Sequence, residues 1–188
     1  MTIINLLRHG ETSGGNVYRG ITNQPLTKKG WQQMRNAVED QSHWQQIVSS
    51  PLLRCAEFSE YISKQLNIPL SLDERLQEIN FGDWENRTAE DIYEQTPDQL
   101  TRFWGNPLEH SPPNGEQLHS MQRRVLSAYR SIIDSEKRTL VITHGGPIRI
   151  ILCHQRNISL NKLLNKLLNI DVPLASLHKV TFAEKCPN

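Results

Sequence analysis

The sequence predicts an α/β fold: a three-layer sandwich in which helices cover both faces of a mainly parallel sheet. Short apolar runs alternate along the chain with longer segments whose apolar residues recur at helical spacing. Such alternation is typical of parallel strands joined by crossover helices. The 188 residues favour a single domain over 1–188 with a core of its own. A small insertion of short helices and loops is expected near 73–118.

Each predicted element of the N-terminal half has its own signal. The β-branched run at 3–7 predicts a buried strand. Thr27 is a suitable N-cap for the helical pattern at 25–40. Pro51 suits the first turn of a helix that would end near Leu66. Two short apolar runs on either side of that helix predict strands at 46–50 and 68–72.

The segment 73–118 is more polar, contains several prolines and holds aromatic residues that include Phe81, Trp84 and Phe103. Long loops are often functional. We therefore expect this segment to cover a site, while Trp84 itself packs in the core. The rest of the chain predicts a helix at 115–135, a strand at 139–143, helices at 145–155 and 160–169, and a final strand at 176–182.

Composition argues against several classes of function. The formal net charge is +1, so no long-range field draws the chain to nucleic acid or to an anionic membrane. The three cysteines form no CxxC pair and the histidines lack metal-ligand spacing, so we expect no metal site and no disulfide framework. Residues 1–7 are too short for a signal peptide, and no run approaches the ~20 apolar residues of a membrane span. A cytoplasmic protein is therefore expected.

Two histidines occupy the position where ligands bind in open α/β sheets, beyond the carboxyl end of a strand. His9 and His144 each come at the end of an apolar run and precede a glycine. Arg8 lies beside the first of them, and Arg54 comes early in a predicted helix. A single histidine at such a place is more often a hydrogen-bonded structural residue. Two histidines with two forked guanidiniums form a cradle suited to a phosphate.

Five motifs, in order, resemble those of the histidine phosphatase superfamily, the phosphoglycerate-mutase-like group. They are "RHGET" (8–12), "SSPLLRC" (49–55), "LQEINFGDWE" (76–85), "PPNGE" (112–116) and "ITHGGPIR" (142–149). Any one is moderately specific, whereas five in register are highly specific. The resemblance implies a metal-independent phosphomonoesterase that needs no cofactor and acts on a small phosphate monoester.

The resemblance also implies a role for each site residue. His9 is expected to be the nucleophile that becomes phosphohistidine, and Glu78 the proton donor to the leaving oxygen. Arg8, Arg54 and His144 would complete the phosphate pocket. The chemistry of these groups fits the roles, because neutral imidazole is a competent nucleophile and arginines stabilise charge that spreads over phosphoryl oxygens. An alkoxide is a poor leaving group, so a carboxylic acid that donates a proton speeds its departure.

Substrate contacts are expected from Asn16, Thr22 and Gly145. Asn16 stands one position later than in the family pattern, after Gly14 and Gly15, so its reach to the phosphate is left open. Within the superfamily the chain most resembles α-ribazole phosphatases of cobalamin biosynthesis, by its short length and its "LxExxFGxWE" pattern. Two alternatives stay open: a cofactor-dependent phosphoglycerate mutase, usually a longer chain, and a non-catalytic phosphate-binding regulatory module.

Overall fold

A computed structural model describes residues 2–39, 41, 43–158 and 170–182. These residues form five strands, β1 (Thr2–Arg8), β2 (Gln46–Ser49), β3 (Leu70–Leu72), β4 (Thr139–Thr143) and β5 (Leu177–Phe182). They also form six α-helices, α1 (Lys28–Val38), α2 (Leu53–Leu66), α3 (Ala89–Gln95), α4 (Pro97–Gly105), α5 (Leu118–Asp134) and α6 (Gly145–Gln155). Among these described helices, none is long and apolar enough to cross a lipid bilayer. The helix predicted at 160–169 lies outside the described residues.

The sheet is mainly parallel, as predicted. Its strand order is β3-β2-β4-β1-β5, and only the pairing of β1 with β5 is antiparallel among the described strands. Because β1 and β4 are parallel neighbours, their carboxyl ends meet at one edge of the sheet. Their register pairs Arg8 with Thr143, and the backbone N–H of His9 donates to the Thr143 carbonyl at 3.0 Å. The residues that follow the two strands, His9 and His144, are thereby brought side by side.

Alternation of side chains along the strands builds two apolar layers. Ile4 and Leu6 of β1 pack with α5 and α6, whereas Leu7 packs with α1 and α2 on the opposite face. β4 divides in the same way, with Val141 in the first cluster and Leu140 in the second. Burying each such side chain stabilises the fold by about 1.5–3 kcal/mol. Helices on both faces of the sheet confirm the predicted three-layer sandwich.

The segment 73–118 forms an insertion of short helices and loops, as expected. Helices α3 and α4 enclose a small core of Trp84, Ile92 and Leu100, with Phe81 packed against it. Trp84 is 1% exposed, which confirms its prediction as a packing residue. The large rings bury their area against one another, because that removes more apolar surface from water than lining a polar cavity would.

Candidate active site

His9 and His144 lie edge to face at the carboxyl edge of the sheet. Their ring centroids are 5.2 Å apart, and the ring planes are inclined by 62°. Both side chains are buried, with exposures of 7% and 0%. The pairing follows from the β1–β4 register, which sets the two residues after the strand ends next to each other. The two strand-end histidines predicted from the sequence therefore belong to one site.

The His9 ring has a defined tautomer. Its Nδ1 is 2.8 Å from the backbone carbonyl oxygen of Gly10, and a carbonyl can only accept, so Nδ1 carries the proton. The Nε2 atom is left with a lone pair. Burial lowers the pKa of His9 to about 3, and the neighbouring positive charges of Arg54 and Arg8 act in the same direction. At neutral pH the ring is therefore neutral, which is the nucleophilic form of imidazole.

The tautomer of His144 is set by two partners. The Nε–H of Arg54 can only donate, so His144 Nδ1 accepts it at 3.2 Å. His144 Nε2 then carries the proton and donates to the Ser50 hydroxyl at 2.8 Å. Burial, reinforced by the charge of Arg54, holds the pKa of His144 well below its ordinary value. Since Ser50 directly follows β2, three strand ends contribute to the site.

Arg54 lies behind the two histidines, fully buried in the first turn of α2. Besides His144, its guanidinium donates to the carbonyl oxygens of Thr22, at 2.8 Å, and Gly20, at 2.6 Å. Within the described part of the chain these contacts use three of the five N–H groups that an arginine has. Two N–H groups are left for a ligand, and burial lowers the pKa of Arg54.

Arg8 carries the one buried side-chain polar atom that has no hydrogen-bond partner among the described residues, its Nε. A terminal nitrogen of the same guanidinium donates to the Val172 carbonyl at 2.5 Å. Burial and the nearby charge of Arg149 lower the pKa of Arg8, although Glu78 opposes them. A Cβ at Gly145 would stand 3.0 Å from Arg149 Nη1 and 3.4 Å from Arg8 Nε, so both cations lie over the start of α6. An orphaned cationic donor beside a helix N-terminus is suited to an anionic ligand.

Glu78 is half-buried and is held by backbone N–H groups. Gly146, in the first turn of α6, donates to Oε2 at 3.1 Å, and Ile79 donates to Oε1 at 3.2 Å. The backbone around Glu78 is held by Arg124, which donates to the Glu78 carbonyl at 3.0 Å and forms an ion pair with Glu116 at 2.6 Å. The carboxyl group of Glu78 is thus aimed at the site from a rigid support.

A cavity of about 630 Å³ opens over His9. Arg8, Glu78 and Asn16 also line it, so the structure brings Asn16 to the site although its side chain is exposed. Four predicted residues are outside the described lining of this cavity: Arg54, His144, Gly145 and Thr22. His144 packs against the His9 ring, Arg54 donates to His144 and acts on His9 through its charge, and Gly145 lies next to Arg8. The backbone carbonyl of Thr22 accepts a hydrogen bond from Arg54, and the Thr22 hydroxyl donates to Glu85.

The loop before Asn16 turns at two glycines whose backbone is in the left-handed conformation. Gly14 and Gly15 have φ of 93° and 72°, values that favour glycine. Arg19 fastens the loop, since its guanidinium donates to the carbonyls of Ser13 at 3.0 Å and Gly15 at 2.9 Å. The insertion of one residue relative to the family pattern is therefore absorbed by a turn that still delivers Asn16 to the cavity.

Sequence reasoning missed three charged residues that support the site. Arg149 ends the motif "ITHGGPIR" and Glu85 ends "LQEINFGDWE", so both belong to motifs of the family pattern, but neither was assigned a role in the site. Arg124 carried no comparable signal, because in the helical pattern of 115–135 it is indistinguishable from a solvent-facing cation. Its role depends on carbonyl groups almost fifty positions away in the chain.

Two histidines, the buried Arg54, the partly buried Arg8 and the carboxyl group of Glu78 thus surround one site, and comparison with known protein families identifies the arrangement. The family model of the histidine phosphatase superfamily, branch 1, matches residues 4–188. The chain belongs to the histidine phosphatase superfamily. As a member with curated relatives named as phosphatases, this histidine phosphatase is a phosphoric monoester hydrolase. The resemblance in the five motifs is thereby confirmed.

Curated relatives of this histidine phosphatase carry different names. Phosphoserine phosphatase 1 of Hydrogenobacter thermophilus is 26% identical over 163 residues, which cover 84% of this chain and 77% of that protein. The adenosylcobalamin/alpha-ribazole phosphatase of Escherichia coli is 27% identical over 154 residues, 78% of this chain and 75% of that protein. A 2,3-bisphosphoglycerate-dependent phosphoglycerate mutase of Cytophaga hutchinsonii is 27% identical over 169 residues, 85% and 79% of the two chains. Each name refers to an enzyme of a small phosphate-bearing molecule, and that molecule differs from one relative to the next.

Among solved structures, the alpha-ribazole phosphatase of Shigella flexneri superposes with a TM-score of 0.87. The match covers 97% of this chain and 92% of that chain at 20% sequence identity. At that identity the likeness establishes the fold. The α/β sandwich of this histidine phosphatase is thus the one seen in the solved structure.

Proposed function

We propose that this histidine phosphatase hydrolyses phosphate monoesters without a metal ion, through a phosphohistidine formed on His9. The observation that carries the proposal is the state of the His9 ring: it is neutral, its Nδ1 is held by the Gly10 carbonyl, its Nε2 lone pair is left unprotonated, and the residue lines the cavity. Arg8 and Glu78 line the same cavity. A nucleophile, a cation and an acid therefore surround one volume that a phosphoryl group can enter.

The reaction has two balanced steps. In the first, His9 Nε2 attacks phosphorus, the N–P bond forms, the P–O bond to the leaving group breaks, and Glu78 gives its proton to the departing oxygen. In the second, Glu78 takes a proton from a water molecule, whose oxygen attacks phosphorus as the N–P bond breaks. Inorganic phosphate leaves, and His9 and Glu78 return to their starting states.

Positive groups around the cavity would stabilise the transferring phosphoryl group. The Nε of Arg8, unpartnered in the described residues, and the two remaining N–H groups of Arg54 supply donors for its oxygens. The N-terminus of α6 at Gly145 adds its partial positive charge. Charge that spreads over three oxygens in the transition state is stabilised by such fixed donors.

Glu78 is the acid in this proposal because it lines the cavity over His9, and backbone N–H groups are in place for its conjugate base. After proton transfer, the carboxylate would be held by Gly146 and Ile79 without any rearrangement. Glu85, the second glutamate of the motif, lies outside the described lining of that cavity and accepts hydrogen bonds from the backbone of the 20–22 loop instead. The contacts therefore favour Glu78 over Glu85 as proton donor.

For the substrate we favour a bulky, sugar-borne phosphate such as α-ribazole 5′-phosphate, with Asn16 as a contact. The cavity of about 630 Å³ exceeds what a three-carbon acid needs, and its lining is mostly polar. The adenosylcobalamin/alpha-ribazole phosphatase of Escherichia coli, a curated relative, supports this choice. The mutase relative keeps phosphoglycerate mutase as the alternative. A turnover panel with α-ribazole 5′-phosphate, phosphoserine and 3-phosphoglycerate, the last with and without 2,3-bisphosphoglycerate, ranks these candidates.

The mechanism is tested by trapping the intermediate. With p-nitrophenyl phosphate and EDTA, the enzyme should turn over and carry acid-labile, base-stable phosphate after rapid quenching. His9→Ala should lose this label and nearly all activity, because no other group can take the covalent step. His119→Ala, which removes an exposed imidazole on α5, is the matched control and should retain both. Full activity of His9→Ala, or a strict requirement for a metal ion, would refute the mechanism; no turnover of any phosphate ester would favour a non-catalytic binding module.

A further inference from the structure

Glu85 is bound almost entirely by backbone. Its carboxylate lies outside the described lining of the cavity over His9. It accepts hydrogen bonds of 2.9–3.1 Å from the N–H groups of Gly20, Ile21, Thr22 and Phe81, and a further one from the Thr22 hydroxyl. So many donors on one carboxylate make a strong, charge-assisted attachment. The turn after Phe81 and the 20–22 loop are thereby joined.

The opposite side of the same loop holds Arg54. Carbonyl oxygens of Gly20 and Thr22 accept from the Arg54 guanidinium at 2.6 and 2.8 Å. The loop therefore lies between a carboxylate, bound through its N–H groups, and a guanidinium, bound through its carbonyls. Hydrogen bonds in such a series polarise one another. Negative charge at Glu85 strengthens the acceptors that face Arg54.

Close packing leaves the loop little freedom to take another position. A Cβ at Gly20 would stand 1.8 Å from the Ile79 carbonyl oxygen and 2.4 Å from Glu85 Oε1, so only glycine fits there. Arg54 itself is fully buried and pairs directly with no carboxylate among the ion pairs of the described residues. The orientation of its guanidinium depends on the carbonyls that this loop presents.

We propose that Glu85 is a positioning residue: through the 20–22 loop it holds the Arg54 guanidinium in the geometry that binds the phosphoryl group. The proposal rests on the proposed function, in which Arg54 contacts phosphate. It differs from proton donation, because Glu85 acts on phosphate affinity and not on the leaving group. It also reaches His144, whose Nδ1 accepts from the same guanidinium.

The test is a double-mutant cycle read out by phosphate binding. The Glu85→Gln substitution keeps the shape of the side chain but removes its negative charge. The NH2 group of the new amide then faces backbone N–H groups, from which it cannot accept hydrogen bonds. Competitive inhibition by inorganic phosphate should weaken at least about tenfold, the size of one charge-assisted contact. The loss in kcat/KM should be equal for p-nitrophenyl phosphate and for a sugar phosphate. In an Arg54→Lys background the same substitution should cost less than about twofold, because the group it positions is gone.

Controls separate positioning from a purely structural role. Asp83→Asn changes an exposed carboxylate in the same turn, one bonded to Asn114, and should leave phosphate inhibition unchanged. A structural role alone would lower the melting temperature of Glu85→Gln but leave phosphate inhibition intact at 25 °C. Should that variant fail to fold, Thr22→Val, which deletes one donor to Glu85, should still weaken phosphate inhibition severalfold.

The outcomes also distinguish the two proposals. Unchanged phosphate inhibition in the folded Glu85→Gln variant, or in Thr22→Val where it is needed, overturns the positioning role. So do additive losses in the Glu85–Arg54 cycle. If Arg54→Lys itself leaves phosphate inhibition unchanged, the assignment of Arg54 to the phosphate site fails instead, and the positioning role falls with it.

Discussion

Replacing Gly146 by alanine should displace Glu78 while leaving the fold intact. A Cβ at this position would stand 2.2 Å from Glu78 Oε1 and 2.6 Å from Met121 Cε. Cβ contacts below 3.0 Å essentially do not occur, so the carboxyl group must retreat by about 0.8 Å. Both neighbouring atoms are ends of flexible side chains, so they can move at low cost. Alanine also improves helix propensity by up to about 1 kcal/mol over glycine, which offsets that cost.

The expected effect is therefore catalytic. A misplacement of about 1 Å costs roughly 10²-fold in rate when geometry is critical. For a sugar phosphate, whose leaving group needs the proton of Glu78, kcat should fall by about 10- to 100-fold. For p-nitrophenyl phosphate the loss should be a few-fold at most, because p-nitrophenolate departs unaided. The melting temperature should change by only a few degrees, since about 1 kcal/mol corresponds to roughly 2–4 °C in a chain of this size.

The assay compares kcat for the two substrates in the wild type, Gly146→Ala and Gly105→Ala. Gly105 is the matched control, because it ends α4 and a Cβ there would meet nothing within 4 Å. The control should keep wild-type kinetics with both substrates. Equal losses on both substrates, or no loss at all in Gly146→Ala, would refute the reasoning that Glu78 donates the proton from this position.

Three further predictions concern the other groups. Arg54→Lys should lower kcat/KM at least about tenfold, because lysine keeps the charge but loses the planar fork; unchanged kinetics would remove Arg54 from the site. Glu78→Gln should slow sugar phosphates by about 10²–10⁴ and p-nitrophenyl phosphate much less; equal losses would assign it an orienting role. In phosphate-free buffer, the two buried histidines should contribute fully to the unfolding free energy above about pH 6.5. As the pH falls toward 5, the unfolding free energy should decrease by up to ~1.4 kcal/mol per pH unit for each histidine. The sign follows because the pKa of His9, about 3, and that of His144 lie below the 6.5 of the unfolded chain, which binds the extra protons. Unfolding free energies measured with urea at several pH values should depend less steeply on pH in His9→Gln, by the equivalent of one proton. An unchanged pH dependence would contradict the prediction.

Local signals in the sequence were sufficient for the architecture. Apolar runs with β-branched residues marked β1 and β4, and Thr27 capped α1 as predicted, its hydroxyl accepting from the Gly30 N–H at 3.0 Å. Both histidines could be placed at strand ends because that position depends only on where an apolar run stops. Strand and helix periods are properties of neighbouring residues, so a single sequence contains them.

The tertiary structure decided how the site residues meet. The separation of 5.2 Å between His9 and His144 follows from the pairing of Arg8 with Thr143, a register set by contacts between distant segments. The sequence predicted that Trp84 packs in the core, but the fold decided which rings it meets there, those of Tyr18 and Phe103.

Positions of charged groups were the least accessible to sequence reasoning. Arg54 is oriented by carbonyls more than thirty positions away in the chain, and these in turn are held by Glu85. Residue type and spacing name the chemistry that a group can perform. Tautomers, unpartnered donors and hydrogen-bond series arise only when the chain closes on itself, because each depends on an acceptor or donor that a remote segment brings within about 3 Å.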